Sequence, residues 1–70
     1  MNEYEFTLVL QGGLDAAAVD ALFEAGCDDA TLGEVDGVVY AEFIREAPSF
    51  GDALRSAIEQ VDSVPGMRVR

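Results

Sequence analysis

The alternation of apolar and polar positions along the chain predicts strands at both ends. Residues 3–10, EYEFTLVL, alternate strictly, which is typical of a strand with one buried face. The side chains predicted to face the core are Tyr4, Phe6, Leu8 and Leu10. Residues 67–70, MRVR, repeat the alternation and predict a short last strand with Met67 and Val69 inward.

Two segments with helical spacing lie between these strands. Residues 14–26 predict a helix with Asp15 as N-cap, a hydrophobic staple between Leu14 and Val19, and Gly26 as the left-handed stop. Its predicted apolar stripe is Ala18, Val19, Leu22 and Phe23. Residues 48–63 predict a second helix with Ser49 as N-cap. Its predicted stripe is Phe50, Leu54, Ala57, Ile58 and Val61.

Residues 30–44 predict a β-hairpin, because the Asp36–Gly37 pair is a strong turn signal. A two-residue loop would pair Glu34 with Val39 and place an acid on the core face. A four-residue loop, residues 34–37, avoids this, and we predict the longer loop. The inner face then holds Ala30, Leu32, Val39, Ala41 and Phe43.

The resulting order, β-α-β-β-α-β, predicts an α+β fold in one domain over residues 1–70. Both helices must cover one face of the antiparallel sheet to bury their stripes, and the connections should be right-handed. We therefore expect a ferredoxin-like sandwich with strand order 4-1-3-2.

Charge and composition narrow the function classes. The net charge is −10, with four arginines, no lysine and no histidine. Such a chain repels phosphate backbones and anionic membranes, so we expect no direct nucleic-acid or membrane binding. No apolar run approaches the roughly 20 residues that a membrane helix needs. A single cysteine and an acidic N-terminus favour a cytoplasmic protein, and no cofactor is predicted.

Cys27, followed by Asp28 and Asp29, has three interpretations: a nucleophile, a metal ligand or a packing residue. The acids would raise the pKa of its thiol, and the chain offers no histidine partner. Zinc would need more soft ligands than one thiol. In a Schellman ending, Cys27 instead contacts Leu22 around Gly26. We predict packing, and therefore no catalytic residue at this corner.

Two loops carry weaker signals. Asp28 and Asp29 could join Glu24 or Glu34 around a divalent cation, but no EF-hand pattern is present and no metal site is predicted. Residues 11–13, QGG, connect a strand to a helix, where many folds hold phosphate. They lack a GxGxxG or Walker pattern and a nearby basic residue, which argues for a turn and against acylphosphatase-type chemistry. The absence of CxxC excludes a heavy-metal carrier of this topology.

The sheet face away from the helices is the candidate interaction face. Strand parity places Val9, Val38, Tyr40 and Ile44 there. Glu3, Glu5, Thr7, Glu42, Arg68 and Arg70 share this face. Arg68 and Arg70 are expected to pair across to Glu3 or Glu5, at no more than about 1 kcal/mol each. A mixed apolar and charged open face suits self-association or docking, and equally an ordinary solvated sheet face.

The phrases YEFTLVL, DALFEAGCDDATLG and GVVYAEF-REAPSF-DALRSAI resemble the N-terminal segment of a family of small bacterial proteins. Longer members carry a C-terminal helix-turn-helix of the DNA-binding type. The resemblance implies an accessory domain for dimerisation, partner contact or ligand sensing, of a transcriptional regulator or antitoxin-like protein. It supplies no catalytic or binding residues. We expect a non-enzymatic interaction module; the alternative is a small-ligand sensor that binds near Gln11 to Gly13.

Overall fold

The computed structural model describes residues 1–70, which form one four-stranded antiparallel sheet and two helices. The elements, in chain order, are β1 (Asn2–Gln11), α1 (Ala16–Glu24), β2 (Ala30–Val35), β3 (Val38–Ala47), α2 (Phe50–Asp62) and β4 (Arg68–Val69). The sheet order is β2-β3-β1-β4, and every neighbouring pair is antiparallel. Counted from the other edge, this is the predicted order 4-1-3-2.

The two long strands, β1 and β3, form the centre of the sheet. Their register pairs Asn2 with Ala47 at one end and Leu10 with Val39 at the other. Strand β2 pairs along the first half of β3, from Val35–Val38 to Ala30–Phe43. Strand β4 meets only the end of β1, where Leu10 pairs with Val69 and Gln11 with Arg68. The sheet therefore has one long edge along β2 and another along most of β1.

Both helix starts are capped as the sequence predicts. The Asp15 carboxylate accepts a hydrogen bond from the Ala18 N–H at 2.8 Å. The Ser49 hydroxyl accepts one from the Asp52 N–H at 3.2 Å. Each cap satisfies a backbone donor that has no partner inside its helix and is worth about 1 kcal/mol.

Both helices pack on the same face of the sheet, since one core cluster joins Leu22 of α1 and Val61 of α2 to β1 and β3. The cluster comprises Leu8, Leu10, Leu22, Cys27, Val39, Ala41, Phe43, Ala57, Val61, Val64 and Met67. Leu22 has no solvent exposure. Burying a leucine contributes about 1.5–3 kcal/mol. Because a 70-residue chain buries a smaller fraction of its surface than a larger domain does, the net stability of this fold is modest.

The hairpin turn is shorter than the predicted four-residue loop. Strands β2 and β3 are joined by Asp36 and Gly37 alone, with φ of 50° and 79°. Two residues in the left-handed region form the turn whose twist matches a β-hairpin. Glu34 does pair with Val39, but it is exposed, because β2 is the outer strand and helix packing does not reach this end. The predicted inner-face residues stay on that face, because the register differs from the predicted one by two residues: Leu32 lies opposite Ala41, and Ala30 opposite Phe43.

The helices bury narrower faces than the predicted stripes. In α1, Phe23 is 46% exposed and Val19 lies outside the core; Leu22 enters the core with Ala18, Ala21 and Ala25 packed beside it. Small alanines let the helix approach the sheet, so the aromatic ring is turned outward. In α2, Leu54, Ala57, Ile58 and Val61 pack in or against the core as predicted, while Phe50 is 47% exposed and Ala53 is buried.

Candidate functional site

The open face of the sheet carries the candidate interaction residues in defined rows. Val9 lies directly opposite Tyr40 on β3, and Tyr40 lies opposite Gly33 on β2. The next row contains Val38 and its partner Val35. Since alternate residues of a strand share a face, these four side chains point away from the helices. We call Val9, Val35, Val38 and Tyr40 the apolar patch.

The apolar patch is accessible to solvent. Val9 is 41% exposed, Val38 38% and Val35 58%. Val35 was not predicted to belong to this face, because the expected four-residue loop would have included it. The two-residue turn places Val35 in the ladder opposite Val38 and so extends the patch to the sheet edge.

Tyr40 is held flat across the neighbouring strand. A Cβ atom on Gly33 would overlap the Tyr40 hydroxyl and ring. Gly33 therefore leaves the space over β2 that the Tyr40 ring fills. An aromatic side chain with an apolar body and a polar tip is typical of protein interfaces.

The fourth predicted residue, Ile44, lies on the same face but apart from the patch. It is 52% exposed and pairs with Glu5. A polar row, with Thr7 opposite Glu42, separates Ile44 from Val9 and Tyr40. The structure thus brings Val9, Val38 and Tyr40 together and places Ile44 in acidic surroundings.

Arg68 of β4 and Arg70, which follows the strand, do not reach the acids predicted as their partners. Arg68 pairs with Gln11, and the Arg70 N–H donates to the Val9 carbonyl at 2.8 Å. Glu3 and Glu5 lie at the opposite end of β1. The predicted ion pairs are wrong because β4 follows a short turn and pairs with the C-terminal end of β1. The open face consequently has a basic corner and an acidic end.

The corner at Cys27 is a closed helix ending. The Cys27 N–H donates to the Leu22 carbonyl at 2.9 Å and the Gly26 N–H to the Phe23 carbonyl at 3.1 Å, which is the Schellman pattern. Gly26 has φ of 112°, as this ending requires. Cys27 has no solvent exposure. The predicted packing role is confirmed.

Burial also sets the protonation of this thiol. Desolvation raises the pKa of Cys27, with smaller contributions from Asp29 and Asp28, while the Arg45 guanidinium acts in the opposite direction. The sequence indicated the two acids, but burial is the larger cause. A buried, protonated thiol is a poor nucleophile.

Arg45 is the feature that the sequence analysis missed. Its guanidinium forms two parallel hydrogen bonds of 2.8 Å to the Asp29 carboxylate, from Nε to Oδ2 and from Nη2 to Oδ1. Nη1 donates to the Ser56 hydroxyl at 2.9 Å, and Nη2 also donates to the Gln60 side-chain oxygen at 2.8 Å and the Gly26 carbonyl at 3.2 Å. Arg45 thus ties β3 to α2 and to the loop before β2.

The Arg45 cluster has the electrostatics of a structural ion pair. Hydrogen bonds from Arg45 lower the pKa of Asp29, and those bonds raise the pKa of Arg45 in turn. The guanidinium carbon also lies 4.9 Å from the centre of the Phe43 ring. No buried side-chain nitrogen or oxygen lacks a partner. Every nitrogen of the guanidinium donates at least one hydrogen bond within the protein.

The glycine loop after β1 borders a shallow groove. Gly12 packs against the Gly66 carbonyl and the Met67 sulfur, leaving no room for a side chain. An open groove of about 490 Å³ lies between the start of α1 and the turn after α2. It is lined by Gly13, Asp15, Ala17, Ala18, Ala21, Val64, Pro65, Gly66 and Met67. Its one charged side chain is Asp15, which already caps α1.

The structure also bears on metal binding and on membrane-spanning helices. No three His, Cys, Asp or Glu side chains converge to hold a metal ion. Neither helix has the length and apolar character needed to cross a membrane.

Comparison with known proteins gave no match to a family model, and no significant match to a curated protein or a solved structure. The resemblance to the helix-turn-helix family stays a prediction.

Proposed function

We propose that this domain is a non-enzymatic interaction module that self-associates through the open face of its sheet. The observation that carries the proposal is the apolar patch, in which Val9, Val38 and Val35 each keep more than a third of their surface exposed beside the Tyr40 ring. Burial of such a contiguous patch is a favourable driving force for association.

The charges around the patch favour a second copy as the occupant. Arg68 and Arg70 lie at one end of the face, and Glu3, Glu5 and Glu46 lie at the other. A two-fold axis that runs across the strands reverses one face relative to the other. With this axis at the row of Thr7 and Glu42, the arginine end of each copy meets the glutamate end of its partner, and Tyr40 of each copy lies over Ile44 of the other.

The wider role follows from the fold and the resemblance. The element order, the antiparallel strand order and the placement of both helices on one face support a ferredoxin-like sandwich. In a cytoplasmic regulator of the helix-turn-helix type, this domain would supply dimerisation, and DNA contact would belong to other residues. The net charge of −10 supports this division of roles.

Sedimentation equilibrium of the purified chain tests the proposal. We expect a reversible dimer whose dissociation constant rises at least tenfold in Tyr40→Glu, because the substitution buries an unpaired charge. Ile44→Asp, which faces the partner's Tyr40 in this arrangement, should weaken the dimer as well. The matched control is Phe23→Glu, which changes an exposed aromatic residue on α1, outside the open face. A chain that stays monomeric at millimolar concentration would contradict the proposal, as would equal effects of Tyr40→Glu and Phe23→Glu.

The groove between the start of α1 and residues 64–67 favours a second candidate function, the sensing of a small ligand. Its lining is mainly apolar, with backbone groups at Gly13 and Gly66. A thermal-shift screen of amino acids, nucleotides and apolar metabolites would detect such a ligand. Ala18→Leu, which fills the groove, should abolish the shift; the absence of a shift across the panel argues against sensing.

A further inference from the structure

Strand β1 has a free edge along most of its length. On one side it pairs with β3 from Asn2 to Leu10. On the other side β4 pairs with Leu10 and Gln11, and Arg70 adds a bond to Val9. Residues 2–8 of β1 therefore have a strand neighbour on one side only.

The backbone groups at this edge can be identified. The Val9 carbonyl points toward β4, because it accepts the Arg70 N–H at 2.8 Å. In a strand, alternate residues direct their N–H and C=O groups to the same side. Thr7, Glu5 and Glu3 consequently present a row of donors and acceptors to solvent. Such a row is the template for strand addition.

An aromatic cluster lies beside the free edge, on the helix side of the sheet. The Phe50 ring contacts the rings of Tyr4 and Phe6 edge-to-face, each at 5.8 Å between centroids. Phe50 remains 47% exposed, and Tyr4 and Phe6 are only partly buried. A strand added to β1 would place every second side chain against this cluster.

The opposite side of the same edge is acidic. Glu3 lies directly opposite Glu46 on β3, and Glu5 follows on the same face. Like charges in a cross-strand pair destabilise a sheet. Neither ion pair of the structure, Arg45–Asp29 or Arg55–Asp52, involves these glutamates. A basic side chain on the added strand would relieve their repulsion.

The outer edge of β4 differs from the free edge of β1. Its Val69 N–H donates to the Asp62 carboxylate at 3.1 Å and is therefore satisfied within the chain. Strand β4 also shows which sequence suits a neighbour of β1: Met67 is buried and Val69 partly buried, while Arg68 and Arg70 are exposed.

We propose that the free edge of β1, from Glu3 to Thr7, binds an extended segment of a partner protein in which apolar and basic residues alternate. The apolar residues pack on Tyr4, Phe6 and Phe50, and the basic residues face Glu3 and Glu5. The acidity disfavours the edge of a second copy, since antiparallel pairing of two β1 strands would set their glutamates against one another. This surface is distinct from the apolar patch.

Fluorescence anisotropy with a labelled eight-residue peptide of alternating valine and arginine tests the proposal. We expect saturable binding by the full chain. A peptide of the same composition in blocks, four valines and then four arginines, should bind at least tenfold more weakly. N-methylation of one alternate set of peptide nitrogens should remove binding, and methylation of the other set should leave it unchanged, because only one set faces β1.

Variants of the chain locate the site. Thr7→Pro removes an N–H at the free edge, where proline is compatible with a strand, and should weaken the peptide at least tenfold. Phe50→Ala should weaken it several-fold. Tyr40→Glu, on the apolar patch, should leave peptide affinity unchanged, so failure of the dimer and failure of the edge site are distinguishable. The methylated peptides act on the unaltered chain and decide the matter even where a variant fails to fold.

Four results would overturn the proposal. Equal affinity for the alternating and block peptides would show non-specific attraction to an acidic protein. Equal effects of the two methylation patterns would show that no strand is added. Dissociation of a dimer of the chain by Phe50→Ala, which lies on the helix side of the sheet, would show that a second copy occupies the edge. Absence of peptide binding would also refute it.

Discussion

Replacing Arg45 by methionine should destabilise the domain more than any change at a surface ion pair. Methionine keeps the length and apolar stem of the side chain but removes all its donors. The Asp29 carboxylate then loses two hydrogen bonds, and the acceptors on Gly26, Ser56 and Gln60 lose one each. Phe43 loses its cationic neighbour.

The magnitude depends on how far water can replace the guanidinium. Removing one partner of a buried ion pair costs about 3–5 kcal/mol. The side chain of Arg45 is 9% exposed, but that of Asp29 is 33% exposed and can be rehydrated. We therefore expect a loss of about 2–3 kcal/mol. A domain of this size has a total of roughly 4–10 kcal/mol, so the melting temperature should fall by about 10–20 °C.

Urea denaturation followed by circular dichroism at one fixed protein concentration measures this loss. The matched control is Arg55→Met. Arg55 pairs with Asp52 at 3.5 Å, and these side chains are 70% and 48% exposed. A pair so accessible to water contributes little, and we expect a change below about 0.5 kcal/mol.

A double-mutant cycle of Arg45→Met and Asp29→Asn isolates the pairwise interaction. Each single change leaves the remaining residue charged but without its charged partner. The double mutant should therefore lose at least about 1 kcal/mol less unfolding free energy than the sum of the two single mutants. Additivity of the two changes, or an Arg45→Met effect no larger than that of Arg55→Met, would refute the cluster as a tie between β3, α2 and the loop before β2.

Two further predictions concern the same corner. Cys27→Ala should lower the unfolding free energy by about 1 kcal/mol through lost packing. Cys27→Ser should lower it by no less, because a buried hydroxyl needs a hydrogen-bond partner. Urea denaturation measures both changes, and a stabilising Cys27→Ser would contradict the packing role. Arg45 holds the pKa of Asp29 below its unfolded value, so the contribution of Asp29 is complete above about pH 4 and is lost as the pH falls through its folded pKa. The difference in unfolding free energy between the native chain and Asp29→Asn should shrink on acidification from pH 6 to pH 2, and a constant difference would show that the carboxylate charge does not matter.

Local patterns predicted most of the fold. The alternation in residues 3–10, the N-caps Asp15 and Ser49, and the stop at Gly26 each depend on interactions within a few residues, and all agree with the structure. The helix faces were predicted less well. Helical spacing gives an apolar arc but does not choose between Phe23 and the alanines beside it, because that choice depends on how closely the helix approaches the sheet.

The length of the hairpin loop is predicted wrongly because the local turn signal at Asp36–Gly37 is set aside for an assumption about burial of the whole inner face. The Asp36–Gly37 signal favoured a two-residue turn, and the longer loop was chosen to keep Glu34 out of the core. The objection assumed that the inner face is buried along its whole length. At the hairpin end of an edge strand it is open to water, so Glu34 is accommodated and Val35 joins the apolar patch.

Strand parity was sufficient to find Arg45. Val39, Ala41 and Phe43 were assigned to the inner face, and two residues further the same parity places Arg45 there. A guanidinium on a buried face needs an acidic partner. Which acid supplies it, Asp28 or Asp29, depends on the exit of α1 relative to β3, and no pattern in the sequence specifies that geometry.

The Arg45 cluster also explains why function should be sought elsewhere on the molecule. It joins the end of α1, the middle of α2 and β3, so a ligand that displaced Asp29 or Gln60 would remove hydrogen bonds that stabilise the domain. Cys27 lies beneath the same loop without solvent exposure. At this acidic corner, Asp29 is bonded to Arg45 and Cys27 is buried, so both residues serve the stability of the fold. The apolar patch and the backbone of the β1 edge are exposed to solvent instead. In the proposed contacts, the patch would bind by side-chain burial and the edge by main-chain hydrogen bonds. A face-to-face pair buries the patch and leaves the edge backbone directed sideways, so the two contacts use different backbone and apolar groups although Glu3 and Glu5 border both.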